Sequence, residues 1–131
     1  MITQQIVVIS GALFGGLAVI FGAFGAHALK KILSEEQLKS FETGVKYQMY
    51  HALVLLFIGN YFSTSNSILN STANTLMSFA FIIGTFLFSF SIYGLVLSDA
   101  KGKKMSFLGP ITPLGGLLLV IGWILLLVAF I

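Results

Sequence analysis

The stretch that decides the fold runs from residue 41 to residue 56 and reads FETGVKYQMYHALVLL. Its first half has the spacing of a charged amphipathic helix, and its second half is apolar enough for the interior of a bilayer. The densest group of polar, titratable and aromatic side chains in the chain lies at the change, and it comprises Lys46, Tyr47, Gln48, Tyr50 and His51. We therefore interpret the stretch as the entry of a helix into a membrane.

The composition supports a membrane protein. The chain has 131 residues, of which 57% are hydrophobic and 8% are charged, whereas a soluble domain carries about 25% charged residues. A soluble protein of this composition would have too few polar residues to cover its surface, so we expect the lipid bilayer as its surroundings. The chain has no cysteine, which excludes disulfides, thiolate metal sites and cysteine nucleophiles.

Four apolar runs predict an all-α, integral membrane four-helix bundle that forms a single domain over residues 1–131. The predicted spans cover about residues 6–29, 45–62, 76–97 and 111–131. An amphipathic helical segment is expected between the first two spans. Ser34 followed by Gln37 is a capping-box pattern, so we expect this segment to begin near Glu35.

Small residues form a regular face on the first span. Gly11, Gly15, Gly22 and Gly25 follow a 4-7-3 spacing that keeps them on one side of a helix, and glycines at such positions let helix backbones approach closely in lipid. Gly115 and Gly116 are expected to do the same on the last span. We predict close packing within one bundle, and a groove or dimer face is the alternative.

The lysines predict the topology. The positive charges fall in residues 30–46 and 99–110, whereas residues 63–75 and both termini carry none. The positive-inside rule places the two lysine-bearing loops in the cytoplasm of a bacterial inner membrane, with both termini and loop 63–75 outside. We interpret the net charge of +3 as this topology signal and do not expect nucleic acid as a partner.

Four segments resemble an uncharacterised family of small bacterial four-span membrane proteins. They are GAFGAHAL (residues 22–29), YQMYHALVLL (47–56), SFSIYGLVL (89–97) and GPITPLGGLLLVIGW (109–123). The resemblance covers all four predicted helices in order. It implies a four-helix membrane domain and supplies no activity.

Two histidines define the candidate polar cluster. His27 ends the first span and His51 begins the second, so we expect both near the cytoplasmic interface at comparable depth. Ionisable groups at such depth are a functional hypothesis by default. His51 should point into the bundle, near the end of the first helix and the proline-rich start of the fourth, with Gln48 and Tyr47 as candidate partners.

Tyr50 and Thr112 complete the cluster of structural candidates. Tyr47 and Tyr50 are expected to anchor the helix at the interface. Thr112 is expected to cap the fourth span, with Pro113 as its first helical residue. We assign no catalytic residue, no cofactor site and no metal ligand, and we do not expect an enzyme.

Several functions remain open. The two imidazoles could ligate a metal or haem, His51 could relay protons in a transporter, and a Ser, a His and Asp99 could be combined into a hydrolase. We favour an interaction or accessory protein that is a homo-oligomer or a subunit of a larger membrane complex. The main alternative is a small transporter or channel subunit with a polar site near His51. It predicts a water-accessible cavity lined by Gln48, His51, Thr85 and Ser89.

Overall fold

A computed structural model describes residues 3–64 and 72–131, and the regular structure in these ranges is helical. The α-helices are α1 (Gln4–Ala26), α2 (Glu35–Thr64), α3 (Thr72–Thr85), α4 (Ser91–Ala100) and α5 (Ile111–Ala129). The π-helical segment Phe86–Phe90 joins α3 to α4 without interruption. Short 3-10 turns, Leu29–Lys31 and Ser106–Leu108, lie in the connections.

The start of α2 is capped as the sequence predicts. The Ser34 N–H donates to Gln37 Oε1 at 2.9 Å, and the Gln37 N–H donates to Ser34 Oγ at 3.1 Å. This reciprocal pair satisfies two backbone N–H groups at the helix end and confirms the capping box. The helix then continues without interruption to Thr64. The amphipathic segment and the second apolar run are therefore one helix.

The glycine face of α1 packs against α2. A Cβ on Gly11 would lie 3.0 Å from the Ala52 carbonyl oxygen, and one on Gly25 would lie 3.2 Å from the Phe41 ring. Gly15 and Gly22 face α2 as well, at ordinary van der Waals distances. The prediction of close packing within the bundle is confirmed, because α2 already covers this face.

The main core cluster draws most heavily on α2. Its buried members are Val7, Phe14, Ala52, Leu55, Ile58, Phe62, Met77, Phe81 and Leu119. Because lipid tails are as apolar as these side chains, their packing stabilises the bundle mainly through van der Waals contact. The position of α2 at the centre matters for function, since any polar side chain on its inner face is removed from lipid and water alike.

Three stretches of the described residues are long and apolar enough to cross a membrane, not the four that the sequence predicts. They are Gln4–Lys31, Thr72–Ala100 and Ser106–Ala129. Helix α2 is missing from this set because Gln48, His51 and Asn60 lower its hydropathy. The predicted loop 63–75 is also partly wrong, because α3 begins at Thr72; residues 65–71 lie outside the described ranges.

Candidate functional site

Gln48 connects three helices. Its side chain is fully buried, and its Nε2 donates to the Phe14 carbonyl oxygen on α1 at 2.8 Å. Its Oε1 accepts a hydrogen bond of 2.7 Å from the Tyr93 hydroxyl on α4. A buried amide needs such partners because an unpaired polar group in an apolar medium costs several kcal/mol. Gln48 therefore locks α1 and α4 onto α2.

The hydrogen bonds of His51 fix its tautomer. Nε2 lies 3.1 Å from Nε1 of Trp123, and Nδ1 lies 2.7 Å from the Tyr47 carbonyl oxygen. An indole N–H can only donate and a carbonyl can only accept. Nε2 is therefore unprotonated and Nδ1 carries the proton, so the imidazole is neutral in this arrangement. The pair ties the centre of α2 to α5.

A third contact joins α2 to the π-helical segment. Ser89 Oγ donates to the Gly44 carbonyl oxygen at 2.7 Å. The Tyr93 ring packs directly on Gly44, where a Cβ would lie 2.7 Å from Cε1 of the ring. Glycine is needed here because any side chain would displace the tyrosine whose hydroxyl reaches Gln48.

Thr112 has a different role from the one predicted. Helix α5 begins at Ile111 after Pro110, and the Thr112 side chain does not cap it. Its hydroxyl instead lies within hydrogen-bond distance of Ser91 Oγ. Since Ser91 donates its own hydroxyl proton to the Phe88 carbonyl, Thr112 is the donor to Ser91. The prediction of an N-cap is wrong, and Thr112 links α5 to α4.

The two histidines are far apart. Gly15 packs against Ala52, the neighbour of His51, and His27 lies twelve residues farther along the sequence, just past the end of α1. At 1.5 Å per helical residue the two imidazoles are separated by roughly 18 Å along the bundle. His27 is exposed and His51 is 4% exposed. They cannot share one metal ion within one chain, and the prediction of comparable depth is wrong.

The error comes from the start of α2. If the second span began at residue 45, His51 would lie near the entry of the helix, level with His27. Because α2 begins at Glu35, His51 lies about halfway along it, beside the middle of α1 and of α5. The predicted inward orientation of His51 is confirmed, and so is Tyr47 as a partner, through its backbone carbonyl. The other partner is Trp123 and not Gln48 or the proline-rich start of α5.

Sequence reasoning missed Trp123 and Tyr93 as members of the site. Both carry an N–H or O–H within an apolar helix, and such groups need an acceptor when they are removed from water. The need for an acceptor is the feature of the sequence that could have identified Trp123 and Tyr93 as members of a polar cluster. The rings of Tyr47 and Tyr50 are both substantially exposed and are in edge contact with each other, with 5.7 Å between their centroids. Their role as interfacial anchors stays a prediction.

The polar residues of the predicted pathway are sealed. Gln48, His51, Thr85 and Ser89 are each no more than 4% exposed. The hydroxyls of Ser78 and Thr85, both on α3, are buried without a hydrogen-bond partner, so this face of α3 is closed by packing. We find close contacts around these side chains where a pore lining would have room for water.

A separate cleft lies at the lysine-bearing end of the bundle. It has a volume of about 610 Å³ and opens between the start of α2, the end of α4 and the start of α5. Gln37 Nε2 donates to Asp99 Oδ2 at 2.9 Å across one side of it. This cleft is distinct from the buried network of Gln48 and His51.

Comparisons with known proteins identify the family. The model of DUF423, described as a protein of unknown function, matches residues 21–116. UPF0382 membrane protein YwdK of Bacillus subtilis is 42% identical over 129 residues, which is 96% of each chain. UPF0382 membrane protein SAB0533 of Staphylococcus aureus is 41% identical over 126 residues, 96% of this chain and 95% of that one. No solved structure matches. The chain therefore belongs to this DUF423, or UPF0382, family of bacterial membrane proteins.

Proposed function

We propose that the chain is a four-span protein of the bacterial inner membrane that acts by binding other proteins, without enzymatic activity of its own. The observation that carries this proposal is the sealed state of its polar residues. Gln48, His51 and Ser89 are buried and hydrogen-bonded to neighbouring helices. Groups held in this way stabilise a scaffold and leave no open reactive centre.

In this proposal helix α2 also crosses the membrane, in addition to the three apolar stretches named above. Its side chains Gln48 and His51 face the bundle, while Leu53 and Phe57 on its other side are more than half exposed. Apolar groups on the outside and polar groups on the inside are the arrangement that a bilayer requires. Average hydropathy does not detect such a helix, because it counts Gln48 and His51, which are buried against the neighbouring helices.

The lysines orient the protein. Those of residues 30–46 and of the α4–α5 connection belong to the same end of the bundle, since Gln37 of α2 and Asp99 of α4 are hydrogen-bonded there. The positive-inside rule favours this end for the cytoplasm. Both termini and Thr72 would then face the other side of the membrane.

Labelling of single cysteines tests this topology, because the chain has no cysteine of its own. With an impermeant maleimide added outside spheroplasts, we expect Thr72→Cys to react and Lys39→Cys and Lys103→Cys to react only after lysis. Equal protection of Thr72→Cys and Lys39→Cys would mean that α2 does not cross the membrane.

Helices α1 and α5 offer surfaces for a partner or a second copy. Helix α5 buries only Gly115, Leu119 and Gly122, and its remaining face is a continuous apolar surface. In a membrane this surface contacts lipid or another helix. We infer a role as a homo-oligomer or as a subunit of a larger complex.

Capture of the tagged chain in native lipid particles tests the accessory role. We expect a stoichiometric second protein, or a second copy of this chain, that survives washing. An unaccompanied monomer that moves a solute across vesicles in a His51-dependent manner would overturn the proposal in favour of a transporter.

A further inference from the structure

The cleft at the lysine-bearing end has the size and the position of a ligand site. Its volume of about 610 Å³ lies within the range of about 300–1,000 Å³ that is usual for small-molecule sites. The apolar stretch Thr72–Ala100 ends beside it and Ser106–Ala129 begins beside it. A cleft between the ends of two such helices lies at the level of lipid headgroups.

The charges of the cleft differ from those around it. Glu36, Asp99 and Lys104 line it, so two carboxylates meet one ammonium at an end of the bundle that otherwise carries mainly lysines. The hydrogen bond from Gln37 holds the Asp99 carboxylate in place between α2 and α4. The lining therefore presents acceptors for a cation and, at Lys104, a partner for an anion.

The rest of the lining is amphipathic. Ser40 and Thr43 contribute hydroxyls from one face of α2, and Ile92, Leu95 and Val96 contribute an apolar wall from α4. A ligand that fits this lining has a polar end with both charges and an apolar end. Soluble ions lack the second feature.

We propose that the cleft binds the headgroup of a zwitterionic phospholipid with a primary amine, namely phosphatidylethanolamine. Its ammonium would lie between Glu36 and Asp99, and its phosphate would lie at Lys104. A primary ammonium offers three N–H donors to the carboxylates and hydroxyls, whereas the trimethylammonium of phosphatidylcholine offers none. An anionic headgroup would bind less well, because the two carboxylates Glu36 and Asp99 would repel it. The inference requires only insertion into the membrane and stands apart from any protein partner.

Native mass spectrometry with an equimolar mixture of phosphatidylethanolamine, phosphatidylcholine and phosphatidylglycerol of identical acyl chains tests the proposal. We expect about tenfold preferential retention of phosphatidylethanolamine over phosphatidylcholine, as one charged hydrogen bond provides. Asp99→Asn should abolish the preference while keeping an oxygen that accepts from Gln37. Glu42→Gln is the matched control, because it makes the same charge change outside the cleft lining.

Lysine variants provide an independent arm if Asp99→Asn unfolds the protein. Lys104→Gln should weaken phosphatidylethanolamine retention by about tenfold, and Lys103→Gln, outside the lining, should not. Equal retention of all three lipids, or preference for phosphatidylglycerol, would overturn the proposal. Displacement by soluble glycerophosphoethanolamine at concentrations equal to those of the lipid would overturn the assignment to a lipid.

Discussion

The contact between α1 and α2 and the contact between α5 and the π-helical segment are both built on glycine, and their glycines meet different neighbours. On α1, a Cβ at Gly11 or Gly25 would meet mostly side chains of α2 at 3.0 to 3.2 Å. On α5, a Cβ at Gly115 would collide with the Phe88 nitrogen and lie 2.9 Å from the Leu87 carbonyl carbon. Both are backbone atoms of the π-helical segment Phe86–Phe90.

The difference shows which close approaches can adapt. The atoms at the end of a side chain can shift by a few tenths of an ångström through small torsional changes. The backbone of a buried helix cannot shift without moving the whole helix. The π-helical segment Phe86–Phe90 adds to this, because it turns Ser89 towards Gly44 of α2 while its backbone lies against Gly115. We expect the contact between α5 and the π-helical segment to tolerate substitution less than the α1–α2 contact.

Gly115→Ala should have the largest effect. The new methyl group has no space against the Phe88 backbone, so we expect a loss of about 3 kcal/mol in the free energy of unfolding, at the upper end for overpacking. Gly116→Ala is the matched control, since its Cβ would be 3.7 Å from the Phe88 ring. Unfolding titrations in mixed micelles measure both. Equal stability of the two variants would contradict the register of α5.

Gly11→Ala should have the next largest effect, about 1–2 kcal/mol. Its methyl group would lie 3.1 Å from the Leu56 terminal methyl, which can move, and 3.0–3.1 Å from the Ala52 carbonyl oxygen and Leu55 Cβ, which cannot. None of these distances is below 3.0 Å, so the overlap is smaller than at Gly115. Gly16→Ala, which meets nothing within 4 Å, should cost nothing in the same titration. A larger loss for Gly16→Ala would show that the outer face of α1 is covered by another molecule.

The Gln48–Tyr93 hydrogen bond should contribute up to about 1.7 kcal/mol, the maximum found for interhelical bonds in membranes. A double-mutant cycle of Gln48→Leu and Tyr93→Phe isolates it. We expect the two losses to be less than additive by this amount. Additive losses would mean that the hydroxyl and the amide do not interact in the membrane.

The His51–Trp123 contact should contribute least, about 0.6 kcal/mol, the average for such bonds, because Trp123 is 46% exposed. A cycle of His51→Leu and Trp123→Phe measures it. Nitrogen NMR of labelled histidine in a His27→Gln background should show a protonated Nδ1 and an unprotonated Nε2. A protonated Nε2 would contradict the hydrogen bond from the Trp123 indole to this nitrogen.

Part of the site follows from sequence alone. The capping box at Ser34 and Gln37, the packing face of α1 and the inward orientation of His51 are confirmed, because each depends on local spacing along one helix. The pairing of His51 with Trp123 could not be predicted. It depends on the offset between α2 and α5, and a spacing rule within one helix does not contain that offset.

The sequence determined that this is an all-helical membrane protein, since so few charged residues cannot cover a soluble surface and since a backbone in lipid must bond within its own helix. Only the tertiary structure decided the depth of its polar residues. The start of α2 at Glu35 places Gln48 and His51 at mid-height in the bundle, and it leaves His27 alone at the end. Helix registers arise from packing across the bundle, where glycines and the π-helical segment set how far one backbone lies along another.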